Sequence, residues 1–331
     1  MMHSARLWTA FTISFSLILL LLTGCKTPAK KKVEATYGPT ESVLEVVAVL
    51  RRHIPDDTYR FPPATDFTGR NVYRSSLLRM ESIQRIHANA LRSGYMDPVI
   101  HFSKGRSLER LRGYDLAALQ YRTAEDRDSP LKDQAKKSAR VCERIHHAVG
   151  IGIQSVNPLG DDANGADEGL HQTPEEVTQA LDERVALLSF LYDEEEDSHY
   201  QYVISEEIEH ADTVRAAWFV SHRYQIPDGQ LRALAELQRV VQRHPGSKNK
   251  LDHMLQLADL YDDLAHEYVD AVPPANLDFD PALFQDLVDP ATQIYEAVAS
   301  YDGTAQKLEA SRRLEAFLAF TLTVDNDRFS H

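Results

Sequence analysis

Two pairs of residues have the type and spacing that could do metal chemistry. Glu143 with His146, and Glu207 with His210, each place a carboxylate and an imidazole three residues apart. On a helix that spacing puts both side chains on one face. Two such pairs, with one glutamate from each of two further helices, can surround a pair of metal ions inside a helical bundle. Glu81 or Glu267 could complete the set, although nothing in their surroundings singles them out. A chain this rich in glutamate and histidine also makes such pairs by coincidence, so an ordinary helix face is the competing reading.

Other reactive patterns are missing. The sequence has no Gly-x-Ser-x-Gly elbow, no glycine-rich loop ending in Lys-Ser/Thr, and no His-Glu-x-x-His. Gly150 and Gly152 lack the third glycine and the preceding strand of a dinucleotide site. The acidic stretch holding Asp161, Asp162, Asn164 and Asp167 lacks the alternating ligands and closing glutamate of a calcium loop. His146-His147 are of the residue type that serves pH sensing, although scattered surface histidines are the commoner reading. Tyr261, Tyr268, Phe284 and Tyr295 either line a peptide groove or fill a core, and their helical spacing favours the core.

The elements that must position these residues are helices. Strand-like alternation is nearly absent, and apolar residues recur at three-and-four spacing. The pattern predicts helices near 40–53, 71–92, 96–112, 114–126, 131–149, 174–193, 199–223, 229–243, 249–271, 288–300 and 304–322. Proline-rich coil over 54–69, a polar glycine-rich stretch over 152–173 and a breaker-rich stretch over 272–287 interrupt them. The run Asp193–Asp197 reads as a solvated connector.

The N-terminus reads as a secretion signal. Arg6 precedes an apolar run from Leu7 to Leu22, which is shorter than the roughly 20 residues a spanning helix needs. Leu22-Thr23-Gly24-Cys25 resembles the bacterial lipobox. The resemblance implies that residues 1–24 are a lipoprotein signal peptide, that Cys25 is lipidated, and that 25–39 form a flexible tether. Several acyl chains hold a protein firmly, and Lys26, Lys30, Lys31 and Lys32 would lie against anionic headgroups. Lys26, where an aspartate favours inner-membrane retention, points to the periplasmic face of the outer membrane.

Removing Arg6 with the signal leaves a formal charge of about −15, one unit below the −14 of the whole chain. That acidity argues against nucleic acid as the main partner. Cys142 is then the only cysteine besides the lipid carrier, so no intramolecular disulfide forms. It reads as a small buried helix residue.

Two segments share a grammar. In RGYDLAALQYRTAEDRDSP (112–130), Ala117, Tyr121 and Ala124 share one helix face ahead of Pro130. In PDGQLRALAELQRVVQRHPGS (227–247), Ala233, Leu237 and Val240 repeat the stripe ahead of Pro245. ATQIYEAVASYDGT (291–304) is a worn third copy. The grammar resembles the tetratricopeptide repeat, a pair of antiparallel helices in about 34 residues. The best matches are 99–132, with Gly105 at the small position of the first helix, and 214–247, with Ser221 at that position and Tyr224 near the end of the first helix. Ala217 stands where the family prefers tryptophan, with Trp218 beside it.

The resemblance implies an all-α, TPR-like helical-hairpin solenoid: a right-handed superhelix of antiparallel pairs with degenerate repeats and loop insertions. It would span 40–331, with 40–92 as an N-terminal helical subdomain. Such a chain implies a non-catalytic, lipid-anchored envelope scaffold that binds a protein or peptide without a cofactor. The alternative is a helical-bundle metalloprotein using Glu143/His146 and Glu207/His210.

Overall fold

The computed structural model describes residues 38–53, 72–92, 96–153 and 172–329. The expected signal peptide, most of the tether, and Cys25 lie outside these residues, as does the acidic stretch 161–167. The described residues from Pro39 onward cluster as one compact unit.

The described residues form twelve helices and no strand. They are α1 (Pro39–His53), α2 (Val72–Ile86), α3 (Ala88–Arg92), α4 (Met96–Arg110), α5 (Tyr114–Glu125), α6 (Lys132–Val149), α7 (Pro174–Glu194), α8 (Tyr200–His222), α9 (Gly229–Arg243), α10 (Lys250–Ala271), α11 (Pro281–Ala299) and α12 (Ala305–Phe329). Each packs mainly on its sequence neighbours. Among the described residues no helix is long and apolar enough to cross a membrane.

Local chemistry sets several ends. Thr173 caps α7 with a capping box: its hydroxyl accepts from the Glu176 amide at 3.2 Å, and the Glu176 carboxylate accepts from the Thr173 amide at 2.8 Å. Pro174 fills the first helical position, where its missing N–H costs nothing. Asp280 caps α11 by accepting from the Ala282 amide at 2.9 Å, with Pro281 behind it. That cap starts α11 seven residues before the predicted position 288, and the helix continues through Pro290. The predicted helix 71–92 divides into α2 and α3 at His87.

The turn into α9 is closed tightly. A Cβ at Gly229 would stand 2.1 Å from the Arg223 carbonyl oxygen, so only glycine fits.

Burial divides the apolar side chains into four cores arranged in series. Val43, Leu50, Tyr73, Met80 and Ile100 join α1, α2 and α4. Tyr121, Cys142, Ile145, Leu188 and Ile204 join α5 through α8. Leu181, Trp218, Leu237 and Leu260 join α7 through α10. Ala258, Phe284, Tyr295 and Phe317 join α10 through α12. Helices α7, α8 and α10 each serve two cores, so a hairpin's leftover apolar face is buried by the next hairpin. The expected subdomain 40–92 does not pack by itself, because Met96 and Ile100 of α4 complete its core. Phe284 and Tyr295 are core residues rather than groove residues.

Candidate functional site

Glu143 and Glu207 do not share a site. Glu143 on α6 is half-exposed and accepts from Arg122 Nε of α5 at 2.6 Å. Glu207 on α8 is buried and accepts from Arg112 Nε at 2.6 Å, Arg112 Nη2 at 2.8 Å and the Tyr114 hydroxyl at 2.6 Å. Arg184 of α7 adds a second guanidinium 3.6 Å away. His146 is exposed, while His210 is largely buried. Among the described residues no three histidine, cysteine or acidic side chains converge to hold a metal ion. The four-residue metal constellation expected as an alternative is therefore not formed: arginines occupy the carboxylates that a metal would need.

The Glu207 cluster fixes a strained turn. Arg112 adopts φ +63°, left-handed backbone that side-chain-bearing residues rarely take. Its two-pronged bond to Glu207 ties the α4–α5 turn to α8. Burial pushes the Glu207 carboxyl up, but the Arg112 hydrogen bond and charge and the Tyr114 hydroxyl outweigh it and hold it below its ordinary value. Burial first, then the Arg112 charge, lowers His210 to about 4, which leaves a neutral imidazole.

A second cluster surrounds Glu109 at the end of α4. One oxygen accepts from the Tyr121 hydroxyl at 2.7 Å, and the other lies 2.7 Å from His199 Nε2 at the start of α8. Arg106 stands 3.4 Å from both oxygens. Its guanidinium also lies over the rings of Phe102 at 5.1 Å, Tyr200 at 5.5 Å and Tyr121 at 5.8 Å. Burial raises the Glu109 carboxyl, but Arg106, His199 and Tyr121 together bring it below the usual range. Cys142 points its sulfur at Glu109 from 3.8 Å, and burial with that carboxylate drives the thiol far upward. It is an inert core thiol, not a nucleophile.

The opposite faces of α8 hold two more carboxylate clusters. Arg215, almost fully buried, donates from Nη1 to Asp182 at 2.6 Å, from Nε to Glu236 at 2.8 Å and from Nη2 to Asp212 at 3.3 Å. Asp212 also meets Arg243 at 3.0 Å and His244 at 2.9 Å. Glu209 lies 2.7 Å from His253 Nε2 and accepts from Ser247 at 2.6 Å and Asn249 at 2.9 Å. Burial would raise Glu209, but these donors lower it to about 2. Helix α8 thus bonds to α4, α5, α7, α9 and α10. These buried carboxylates are matched to donors within the fold, which makes them clamps rather than reactive groups.

The residues expected to pack the repeats fall into two groups. Ala117, Tyr121, Ala124, Ala233, Leu237 and Val240 are buried. A Cβ on Gly105 would stand 2.6 Å from the Tyr121 ring, so the α4–α5 crossing depends on that glycine. Pro245 is an exposed turn residue two positions beyond α9. Tyr224 departs from its expected packing place: it is 66 % exposed beyond the end of α8, with its hydroxyl on Glu267. Ser221 is exposed too. The first helix of the 214–247 pair begins at Tyr200 and faces its partner in a different register.

The residues that sequence reasoning passed over are Arg106, Glu109, Arg112, Arg184, Glu209, Asp212, Arg215, His199 and His253. A local signal existed for three of them: Glu209, Asp212 and Arg215 recur every third residue along a helix, interleaved with the buried apolar Ala211, Val214 and Ala216. The Glu109–His199 and Arg112–Glu207 pairs are 90 and 95 residues apart and leave no local trace.

The outer faces carry large apolar side chains. Leu116 and Leu119 stand one turn apart on α5, and Leu187 and Phe190 one turn apart on α7, with the Arg144 guanidinium 5.8 Å from the Phe190 ring. Tyr202 is exposed at the start of α8. No known protein-family profile matches the chain, and comparison with curated protein sequences finds no match.

Proposed function

We propose that the protein is a non-catalytic scaffold of the bacterial cell envelope, tethered through lipidated Cys25 to the periplasmic face of the outer membrane. Its helices form a TPR-like right-handed superhelix of degenerate hairpins, and it binds a protein or peptide partner along their outer faces. One observation carries the reading. The buried carboxylates are spent on clamping hairpins together, while Leu116, Leu119, Leu187 and Phe190 remain in solvent on helices whose other faces are packed. Apolar anchors held on a preformed helical surface are what recognition of a partner segment requires.

The test has two arms. Cys25→Ala should abolish labelling by a fatty-acid analogue and release the chain from the membrane fraction. Photo-crosslinkers at Leu119 and Phe190 in intact cells should trap the same discrete species, whereas one at exposed Leu308 should not. An unlabelled wild-type chain rejects the tether. Crosslinks that do not depend on position reject the binding surface.

A further inference from the structure

Lys104 of α4 is a cation with too little to hold it. Its side chain is only 10 % exposed. Its ammonium lies 3.4 Å from Gln84 Oε1 and 3.6 Å from Glu81 Oε1, both longer than an ordinary N–H···O bond. A nearly buried ammonium with three protons and only distant acceptors has lost hydration without full replacement.

Its placement is not accidental. His101 Nδ1 lies 2.8 Å from the amide oxygen of Gln120, an atom that can only accept, so Nδ1 carries the proton and donates. The other ring nitrogen then accepts from the Gln84 amide nitrogen at 3.1 Å. That bond turns the Gln84 oxygen toward Lys104. The relay Gln120–His101–Gln84 holds the ammonium in one orientation before any ligand arrives.

Lys104 borders a cleft between α2, α3 and α4 of about 390 Å³. That volume falls within the range of small-molecule sites, roughly 300–1,000 Å³. Glu81, Arg85, Asp97 and Lys104 supply its charges, and Ala88 with Leu91 supply an apolar wall. Asp97 is buried and uses one oxygen on Arg127 at 2.9 Å, which leaves the other 3.7 Å from His101. The lining thus presents two cations and two carboxylates, with Asp97 also held by Arg127 from beside the cleft. A simple anion would meet the two acids, and a simple cation would meet Lys104 and Arg85. A small molecule carrying both charges on a short spacer satisfies all four.

We propose that this cleft binds a free α-amino acid as its zwitterion. The carboxylate sits on Lys104 and Arg85, the ammonium on Glu81 and Asp97, and an apolar side chain against Ala88 and Leu91. The site is independent of the scaffold reading.

Calorimetric titration of the detergent-solubilised full chain tests it, with L-leucine as the probe and acetate and methylamine as its two half-ligands. L-leucine should give saturable binding, with each half-ligand at least about tenfold weaker, since each forgoes one charged contact. Lys104→Met should weaken L-leucine binding about tenfold or more. Glu81→Gln, at the half-exposed rim where the fold does not depend on it, should weaken binding severalfold with an unchanged thermal melt. Saturable heat absent through the millimolar range overturns the proposal. So does acetate binding as well as L-leucine, or both variants binding like the parent chain.

Discussion

The hairpin α4–α5 and the hairpin α8–α9 obey one sequence grammar and pack by different means. In the first, Gly105 lets the Tyr121 ring touch the backbone of the opposite helix, and the Tyr121 hydroxyl reaches on to Glu109. In the second, the corresponding small residue, Ser221, faces solvent, and Tyr224 lies beyond the helix end. Helix α8 instead turns Glu207, Glu209, Asp212 and Arg215 toward four neighbouring helices, α5, α7, α9 and α10. The second helix of each hairpin keeps its apolar stripe in both places, whereas the first helix is held by steric fit in one and by polar clamps in the other.

That contrast can be broken in a graded way. Replacing Glu207 with leucine removes the carboxylate that serves Arg112, Tyr114 and Arg184, and should cost about 3–5 kcal/mol by urea unfolding. The matched change at Glu143, in a half-exposed pair, should stay within about 1 kcal/mol. Equal losses would mean that α8 is no special clamp.

Acid should separate the two faces of α8. His210 is lowered from 6.5 to about 4, so between those values the unfolded chain binds more protons and stability falls as pH falls. Glu209 is lowered from 4.5 to about 2, and its contribution, present above 4.5, is lost as pH falls toward 2. The first loss amounts to about 3 kcal/mol at most. Denaturation across pH 7 to 4 should flatten in His210→Gln, and a slope identical to the parent's would remove His210 from the account.

Steric fit gives the next effect. Gly105→Ala places a methyl against the Tyr121 ring and should destabilise by about 1–3 kcal/mol. Ser221→Ala should stay within about 0.5 kcal/mol. The finest comparison is between tyrosines. Tyr121→Phe leaves a buried Glu109 oxygen short of a donor and should cost about 1–2 kcal/mol, whereas Tyr224→Phe on the surface should cost a few tenths. Thermal melts of the four variants, read together, show whether the two hairpins differ as described.

Much of the helical framework was legible, because three-and-four periodicity is a local property. The predicted 229–243 coincides with α9, and 174–193 and 199–223 fall within a residue of α7 and α8 at each end. Misses have local causes: Asp280 and Pro281 start α11 earlier than its apolar stripe suggests, and α2–α3 break inside one continuous pattern. The clamps were not legible. Arg106, Glu109 and His199 become one cluster only when residues some 90 positions apart meet, and the cleft at Lys104 depends on three helices closing around a lysine with nothing unusual in its sequence. The Glu-x-x-His motif was visible, but its chemistry was inverted by arginines that the motif does not contain.

One consequence follows from the cores that share helices. A regular repeat array can gain or lose a unit by duplication or deletion, since every joint is interchangeable with every other. Here α8 is keyed to Arg112 on one side and to His253 on the other, so a hairpin inserted beside it would find neither lock. The joints on either side of α8 are therefore not interchangeable, so a helix pair is added or removed with least disruption at the ends of the described series.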